Sequence, residues 1–366
     1  MRIWHTGALP SPQRVDGASA TIWQIAREQA LLGHQVALLL DDKPDEAAIA
    51  VADQTGLELI HVPASAWRND AILRSLPSEP PQLLHMHRVF VPRQSVLERK
   101  LLRNKIPCIV TPHGAIDFKR RRVRKSLYIR LVERSRLSTA SAITVVAPQE
   151  EKAVRAVAPG YSGTIHWVPN PVDTYSLQGY SWNGRVGAKR LVFMGRFHVV
   201  HKGIDILVAI ARSLPDAEVH LYGTEDPKTK KLLERLKQRL PPNVHFHDPL
   251  FGAEKVQMLA DASLYIQASR WEGFPISVAE AMYVGVPCAL ADTFYQAELF
   301  RERDLGLVFP PDFRVAATSL SKVLTQPDRL RQWSERAKAY AREHFSPRTA
   351  ALNYLRIYEE VLDQDA

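Results

Sequence analysis

The order of its apolar runs constrains this chain more than any single residue does. In the first half "HQVALLL", "ELIHV", "QLLHMH", "CIVTPHG", "AITVVA" and "TIHWVP" read as strands. In the second half "RLVFMGR", "AEVHLYG", "VHFHD", "LYIQAS" and "PCALAD" do the same. Between them lie segments such as "ASATIWQIAREQALLG", "DILVAIARSLP" and "KTKKLLERLKQRL", whose apolar residues recur at helical spacing. A strand apolar on both faces must be covered on both, so this alternation points to α/β domains with doubly wound parallel sheets. The pattern breaks over 174–189, "TYSLQGYSWNGRVGAK", a Gly- and polar-rich stretch that reads as a linker. Two domains are therefore expected, over 1–175 and 188–345. In such sheets ligands bind beyond the carboxyl ends of the strands, and two domains facing each other would form a cleft.

Length agrees with that division, because 366 residues exceed what one typical core holds. A hydrophobic content of 46% beside 24% charged residues excludes a disordered or fibrous chain. No apolar run reaches the roughly 20 residues a membrane span needs. The opening "MRIWHTGALP" has no apolar stretch of the kind a signal peptide requires. Cys108 and Cys288 sit in apolar runs and read as packing residues, which fits a reducing compartment and a cytoplasmic address. The formal charge of +9 calls for an anionic partner, for which nucleic acid, anionic lipid and a phosphorylated small molecule all qualify.

Four motifs lie where strands end. In "GRFHVVHKGIDIL" a strand closes at Gly195 and a helix is expected from about Gly203, which sets Arg196 and Lys202 on a loop beside a helix N-terminus. Two cations and a positive dipole end suit a diphosphate, and solvated surface charge is the competing reading. In "SRWEGFPISVAEAMYVG" a strand, a Gly273-Phe274-Pro275 turn and a helix closed by Gly285 carry Glu272 and Glu280. Carboxylates there can accept hydrogen bonds from vicinal hydroxyls. Spacing alone favours another role for Glu280, as the partner of Ser277 in a helix-capping box. Near the start, a short first strand is followed by a Pro-containing loop and then by Gly17 at the start of a helix, where backbone N–H groups could meet an anion, without a dinucleotide fingerprint. His113, in "TPHGAID", follows a strand and can contact ligand oxygens or satisfy a loop carbonyl. His85 and His87 are expected on opposite faces of their strand, a poor metal pair, and no Cys/His cluster has zinc-like spacing.

A fifth feature is the run 119–136, "KRRRVRKSLYIRLVERSR", with nine Lys/Arg and one acid, Glu133. Lys119, Arg120, Arg121, Arg122, Arg124 and Lys125 form its densest part. Its apolar residues suit an anionic membrane surface, and a solvated helix face is the equal alternative. Nucleic acid is disfavoured, because Tyr128 is the only aromatic residue available for stacking.

Taken together these motifs resemble glycosyltransferase family 4, retaining enzymes of the GT-B fold with two Rossmann-like domains. The resemblance runs through "DGASATIWQIAREQALLGHQV", "TPHGAID", "VPNPVD", "GRFHVVHKGIDIL" and "EGFPISVAEAMYVGVPCALAD", in the family's order. It implies that Arg196 and Lys202 hold the donor diphosphate and stabilise it as it leaves. Glu272 would contact the donor sugar from the Gly273-Phe274-Pro275 turn, and Glu280 the nucleotide ribose. His113 would lie near the transferred sugar, and the Gly17 backbone near the phosphates. The helix over 348–362 would cross back onto the first domain. The departures are Gly17-Ala18 for a frequent glycine pair, "LYGTEDP" for a frequent G-x-G, and "ADTFYQAEL" without its glycine pair, which leaves the donor sugar open at Phe294 to Glu298. "VPNPVD" also carries Pro171 where glycine is commoner.

The implied reaction moves a sugar from a nucleotide-diphosphate sugar to an acceptor hydroxyl with retention, in exopolysaccharide, lipopolysaccharide or glycolipid assembly. It would need neither metal nor cofactor, since Arg196, Lys202 and helix N–H groups stabilise the leaving charge. The acceptor would be a glycan or lipid-linked glycan, met at the inner membrane face through the basic run. Two rivals stay open: a nucleotide-sugar epimerase on the same architecture, and a non-catalytic basic protein that binds membrane or nucleic acid.

Overall fold

The computed structural model describes all residues except 10–16, 64–75, 77–78, 92–93, 95, 99–100, 102–104, 117–127, 129–131, 185–186, 188 and 365–366. It divides into two compact units, Met1–Val172 with Pro347–Ala366, and Asp173–Ser346. The basic residues Lys119, Arg120, Arg121, Arg122, Arg124 and Lys125 lie outside the described residues.

In the first unit, seven strands lie in the order β3-β2-β1-β4-β5-β6-β7. They are β1 (Arg2–Gly7), β2 (Gln35–Leu40), β3 (Leu57–His61), β4 (Leu83–His87), β5 (Cys108–Thr111), β6 (Ala142–Val145) and β7 (Ile165–Trp167). All pairings are parallel. The second unit has six parallel strands in the order β10-β9-β8-β11-β12-β13. They are β8 (Arg190–Met194), β9 (Glu218–Tyr222), β10 (Val244–His247), β11 (Leu264–Gln267), β12 (Cys288–Ala291) and β13 (Gly306–Phe309). The two-sided apolar runs read from the sequence are these strands. β13, "GLVF", was not among those runs.

Each sheet reverses its strand order once, at β1/β4 in the first unit and at β8/β11 in the second. At such a point the chains leaving two neighbouring strands diverge to opposite sides, which opens a crevice at the carboxyl ends. The loops after β8 and β11 carry Arg196, Lys202 and Glu272, and those after β4 and β5 carry Arg88 and His113.

The stretch read as a linker belongs to the second unit. The Trp182 indole donates to the Ala262 carbonyl at 2.7 Å, and Lys338 Nζ reaches Ser181 Oγ at 2.7 Å. The helix Pro347–Gln364 belongs to the first unit, where Ala350, Ala351, Tyr354, Ile357, Tyr358 and Val361 are buried. Their spacing of three and four residues makes one apolar stripe. It packs against the helix Gly17–Leu31 and one face of the sheet, with Ile3, Ile25, Leu83 and Ile109. Cys108 and Cys288 are both buried, unpaired thiols.

One glycine sets the spacing at the second switch point. Gly203 has φ +65°, and a Cβ there would lie 2.0 Å from the Ala268 carbonyl oxygen at the end of β11. Gly33 has a similar φ of +87° with open space around it. Gly33→Ala should therefore cost about 1 kcal/mol, from backbone conformation alone. Gly203→Ala should cost more, about 2–4 kcal/mol, because the backbone must also move. Urea denaturation of the two variants checks the difference, and equal costs would contradict it.

Candidate active site

In the second unit the loop after β8 passes through Gly195 and Arg196 into a single helical turn, Val199–Lys202. Lys202 therefore ends a helical turn rather than lying on an open loop. His198 caps this turn by accepting from the His201 N–H at 3.1 Å. The helix Ile204–Arg212 follows directly after Gly203, which leaves Lys202 anchored on both sides.

Lys202 points to the end of β11. Its Nζ donates to Glu272 Oε1 at 2.6 Å, and the same oxygen accepts from Ser269 Oγ at 2.5 Å and Gln267 Nε2 at 3.0 Å. Glu272 Oε2 lies 3.9 Å from His201 Nε2. The His201 ring stacks on Trp271, with centroids 4.6 Å apart and planes at 4°, and its Nε2 is 3.0 Å from the Trp271 carbonyl. Burial opposes charge on Glu272, but Lys202, His201 and the hydrogen bonds from Lys202 and Ser269 outweigh it and hold the carboxyl below its usual range. The result is a dry, ionised carboxylate that can accept hydrogen bonds, beside a lysine that is 16% exposed.

Arg196 stands differently. Its guanidinium is 57% exposed and lies 3.5 Å from Asp226, which is nearly buried. The Asp226 carboxylate is itself held by the Lys228 N–H at 2.9 Å. Both cations thus face carboxylates, and an incoming anion would share them with Glu272 and Asp226.

Glu280 is not a capping-box partner. The helix begins at Ile276 with Pro275 in the cap position and no side-chain cap. Ser277 Oγ instead accepts from Tyr265 OH at 2.8 Å, and Glu280, in the second turn, accepts from Lys255 Nζ at 2.8 Å. Gly273 and Phe274 are half-buried and Pro275 is buried. The Phe274 ring meets Phe345 edge-on at 5.3 Å, which anchors the turn. Gly285 closes the helix in the left-handed conformation.

In the first unit, Gly17 is the first residue of the helix Gly17–Leu31 and is exposed. His113 follows β5 with φ +53°, and Gly114 has φ +71°. Glu150, at the start of the helix Pro148–Val157, accepts from the Gly114 N–H at 2.5 Å and the Val146 N–H at 3.2 Å, which pins this turn. Burial pushes the Glu150 carboxyl up to about 7, against the pull of those two N–H groups.

His85 and His87 are not on opposite faces. Residues two apart on a strand share a face, and these rings sit 3.9 Å apart, both fully buried. His5 on β1 joins them, and potential ligand atoms of all three lie within 4.8 Å of one another. Their nitrogens are already engaged with Gln29, Tyr358, Thr111, His113 and each other, so a cation there would displace hydrogen bonds. Glu218, His220 and His245 form a second, more exposed group with ligand-capable geometry. At the end of the basic run Arg134 and Ser135 are exposed, whereas Glu133 and Arg136 are buried. Arg136 is buried against Glu98 at 3.2 Å and Glu133 at 3.4 Å, and Glu133 accepts from the Phe90 N–H at 2.7 Å. Sequence reasoning missed His5, Gln29, Lys255, His201, Ser269 and Trp271. The i, i+2 spacing of His85 and His87 was the available signal for the first of these clusters.

Residues 15–175 match the family model described as Glycosyltransferase Family 4, and residues 182–340 match Glycosyl transferases group 1. A 205-residue stretch is 29% identical to MMP alpha-(1->4)-mannosyltransferase of Mycolicibacterium hassiacum, covering 54% of this chain and 49% of that protein. Another is 25% identical over 205 residues to phosphatidyl-myo-inositol mannosyltransferase of Mycobacterium leprae, covering 53% of each. The chain spans about half the length of the curated relatives it matches. Anabaena HepE in complex with UDP superposes with a TM-score of 0.79 at 16% identity, over 98% of this chain and 100% of that one. Sucrose-phosphate synthase from Thermosynechococcus elongatus gives 0.77 at 17% identity, over the whole of both chains. At these identities the structural likeness shows the fold.

The buried histidines make stability depend on pH. Burial lowers His5 to about 4 and holds His85 and His87 well below the ordinary value of 6.5. The unfolded chain takes up these protons first, so their contribution to stability is complete above pH 6.5 and is lost as pH falls toward the folded values. Glu150 opposes this between pH 7 and 4.5, because its folded pKa is raised. Three histidines against one carboxyl leave a net loss, on the order of 1 kcal/mol or more per pH unit below pH 6.5. The urea midpoint should fall between pH 6.5 and 5, and less steeply in His5→Asn. A flat midpoint would contradict the neutral, buried state.

Proposed function

The chain belongs to glycosyltransferase family 4, with the GT-B fold, and from that premise we propose that it transfers a sugar from a nucleotide-diphosphate sugar to an acceptor hydroxyl, with retention of configuration. The observation that carries this reading is the part-buried Lys202–Glu272 pair, built from the two connections that leave the switch-point strands β8 and β11. Donor binding is supported by the solved HepE complexes, which hold UDP, UDP with glucose, or UDP-glucose. Neither an epimerase nor a non-catalytic basic protein is favoured, because the family matches extend through both units.

The donor diphosphate would lie against Arg196 and Lys202. As the bond from the sugar to the phosphate lengthens, negative charge grows on the leaving oxygen, and fixed cations in a water-poor site lower the energy of that state. Lys202 is held in place by Glu272 before the donor arrives, so little reorganisation remains at the moment of reaction. Glu272, kept ionised, would accept hydrogen bonds from donor-sugar hydroxyls, and Glu280 from the ribose. The leaving phosphate would take the proton of the acceptor hydroxyl as that oxygen bonds to the anomeric carbon. In this scheme the cations do the electrostatic work for which other transferases use a metal. The acceptor is proposed to be a glycan or lipid-linked glycan in cell-surface glycan assembly, met at an anionic membrane face. No helix among the described residues is long and apolar enough to cross a membrane.

Hydrolysis and transfer with UDP-, GDP- and ADP-sugars test the reading, and saturable turnover of none of them would sink it. Lys202→Ala and Arg196→Ala should each lower kcat/KM, by about 100-fold or more for Lys202. Lys202→Ala should also destabilise the fold, because it leaves Glu272 buried without its cation. Wild-type turnover in both variants would refute the role assigned to the pair. Glu280→Gln separates ribose binding from structure: the expected outcome is a raised donor KM with an almost unchanged melting temperature.

A further inference from the structure

The outer strands of the second sheet carry polar side chains on one face. Val219, Leu221 and Val244 point into the core, with Phe246 packed against it. Glu218, His220, His245 and His247 alternate with these residues and keep access to solvent. β10 stands at the edge of the sheet, and the register sets His245 directly opposite His220 on β9. The two rings lie 4.8 Å apart, with their planes at 27°. Glu218, two residues before His220, shares their face. One nitrogen from each histidine and one oxygen of Glu218 all fall within 4.8 Å of one another.

Two side chains spaced i, i+2 on a strand, with a third opposite on its neighbour, make a rigid three-ligand frame. The buried group of His5, His85 and His87 differs in being all histidine and closed off from solvent. Here one ligand is a carboxylate, and the Glu218 and His245 side chains are 49% and 40% exposed, so a hydrated ion can reach them. His245 Nε2 and Glu218 Oε2 lie 2.6 Å apart. A tetrahedral ion with bonds of about 2.0–2.1 Å holds its ligands roughly 3.3 Å apart, a difference the exposed Glu218 side chain can absorb. The ion takes the place of the proton shared by that pair. His245 releases the proton from Nε2, to solvent from a charged ring or by exchange to Nδ1 in a neutral one.

The neighbouring side chains fit the same use. His220 Nδ1 is 2.9 Å from His247 Nε2. Donation from Nδ1–H leaves Nε2 of His220 with its lone pair and fixes the ring, as a bond to the second nitrogen does for metal-bound imidazoles. His247 stacks in turn on Tyr222, with centroids 4.5 Å apart and planes at 16°. Arg190 pairs with Glu218 across β8 and β9 and donates to Tyr222 OH at 2.7 Å. Its positive charge opposes a cation on this face, and the Glu218 carboxylate offsets it.

We propose that Glu218, His220 and His245 bind one Zn²⁺ ion that staples the edge strand β10 to β9, with His247 as a positioning residue. Two imidazoles and one carboxylate suit zinc, whereas Mg²⁺ and Ca²⁺ favour shells made of oxygen. The site uses none of the residues assigned to the donor, and it stands whether or not the chain is a transferase. The ion's effect is on stability.

Calorimetric titration of Zn²⁺ into the chelator-stripped full chain at pH 7.5 tests this. The expected result is one ion per chain with a Kd of about 10 µM or tighter. Zn²⁺ should raise Tm, EDTA should reverse the rise, and Mg²⁺ at the same concentration should give none. His220→Gln and His245→Gln should each weaken binding about 100-fold, and His247→Phe, which keeps a ring on Tyr222, about tenfold. Co²⁺ used in place of Zn²⁺ should give visible absorption in the wild type that both ligand variants lose. A wild-type Kd weaker than about 10 µM overturns the proposal. Undiminished binding in the folded ligand variants overturns it too, as does loss of binding in His5→Asn, which would place the ion in the buried group. Where a histidine variant does not fold, Glu218→Gln, at an exposed position, decides by the same criterion.

Discussion

A parallel sheet covered on both faces leaves one place for chemistry, and each unit of this chain is built around that restriction. The strands are apolar on both sides because helices lie over both. Polar side chains that are to meet a ligand from solvent can therefore gather only where strands stop and helices have not begun. In both sheets the most favourable such place is where the strand order reverses, because the chain itself parts there. Arg196, Lys202 and Glu272 all follow from this, as do the left-handed turns at Arg88 and His113.

Within that space, electrostatics decides what the residues can do. Lys202 and Glu272 would each be expensive to bury alone, and each makes the other tolerable at 2.6 Å. Ser269 and Gln267 complete the shell, so the pair is satisfied before any ligand binds. Arg196, with most of its guanidinium in solvent, carries no such penalty and can follow an anion. The two cations therefore differ in kind, one preorganised and dry, the other exposed and adjustable.

Most of the architecture was legible because the sheets are buried on both faces, a condition that writes itself as uninterrupted apolar runs. Among the described strands, β13 was the one missed. The positions of the site residues were legible for the same reason: strand ends mark themselves with Gly and Pro. Their partners were not, since the contacts of Lys202 with Glu272, 70 residues away, and of Glu280 with Lys255 depend on tertiary packing. Ser277 illustrates the limit. Its spacing to Glu280 satisfied a local capping rule, but the helix starts at Ile276, with Pro275 in the cap position, and a tyrosine from β11 claims the hydroxyl. The histidines show an error of another kind, for the period of a strand already puts residues 85 and 87 on one face.

That face also shows why a sheet interior can hold polar groups. Three imidazoles with two nitrogens each would leave several unsatisfied atoms in an apolar layer, at a cost of about 1–3 kcal/mol apiece. Here every one of those nitrogens finds a partner within 2.6–2.9 Å. The partners come from β1, β4, β5, the loop after β5 and two helices, one of them the last in the chain. An apolar layer would hold these elements together equally well but would not distinguish one arrangement from a slightly shifted one. A hydrogen-bonded layer does, because a displacement of a single ring breaks two directional bonds. The same directionality that makes the layer costly to assemble incompletely also bears on the ring of His113, through its bond to His87.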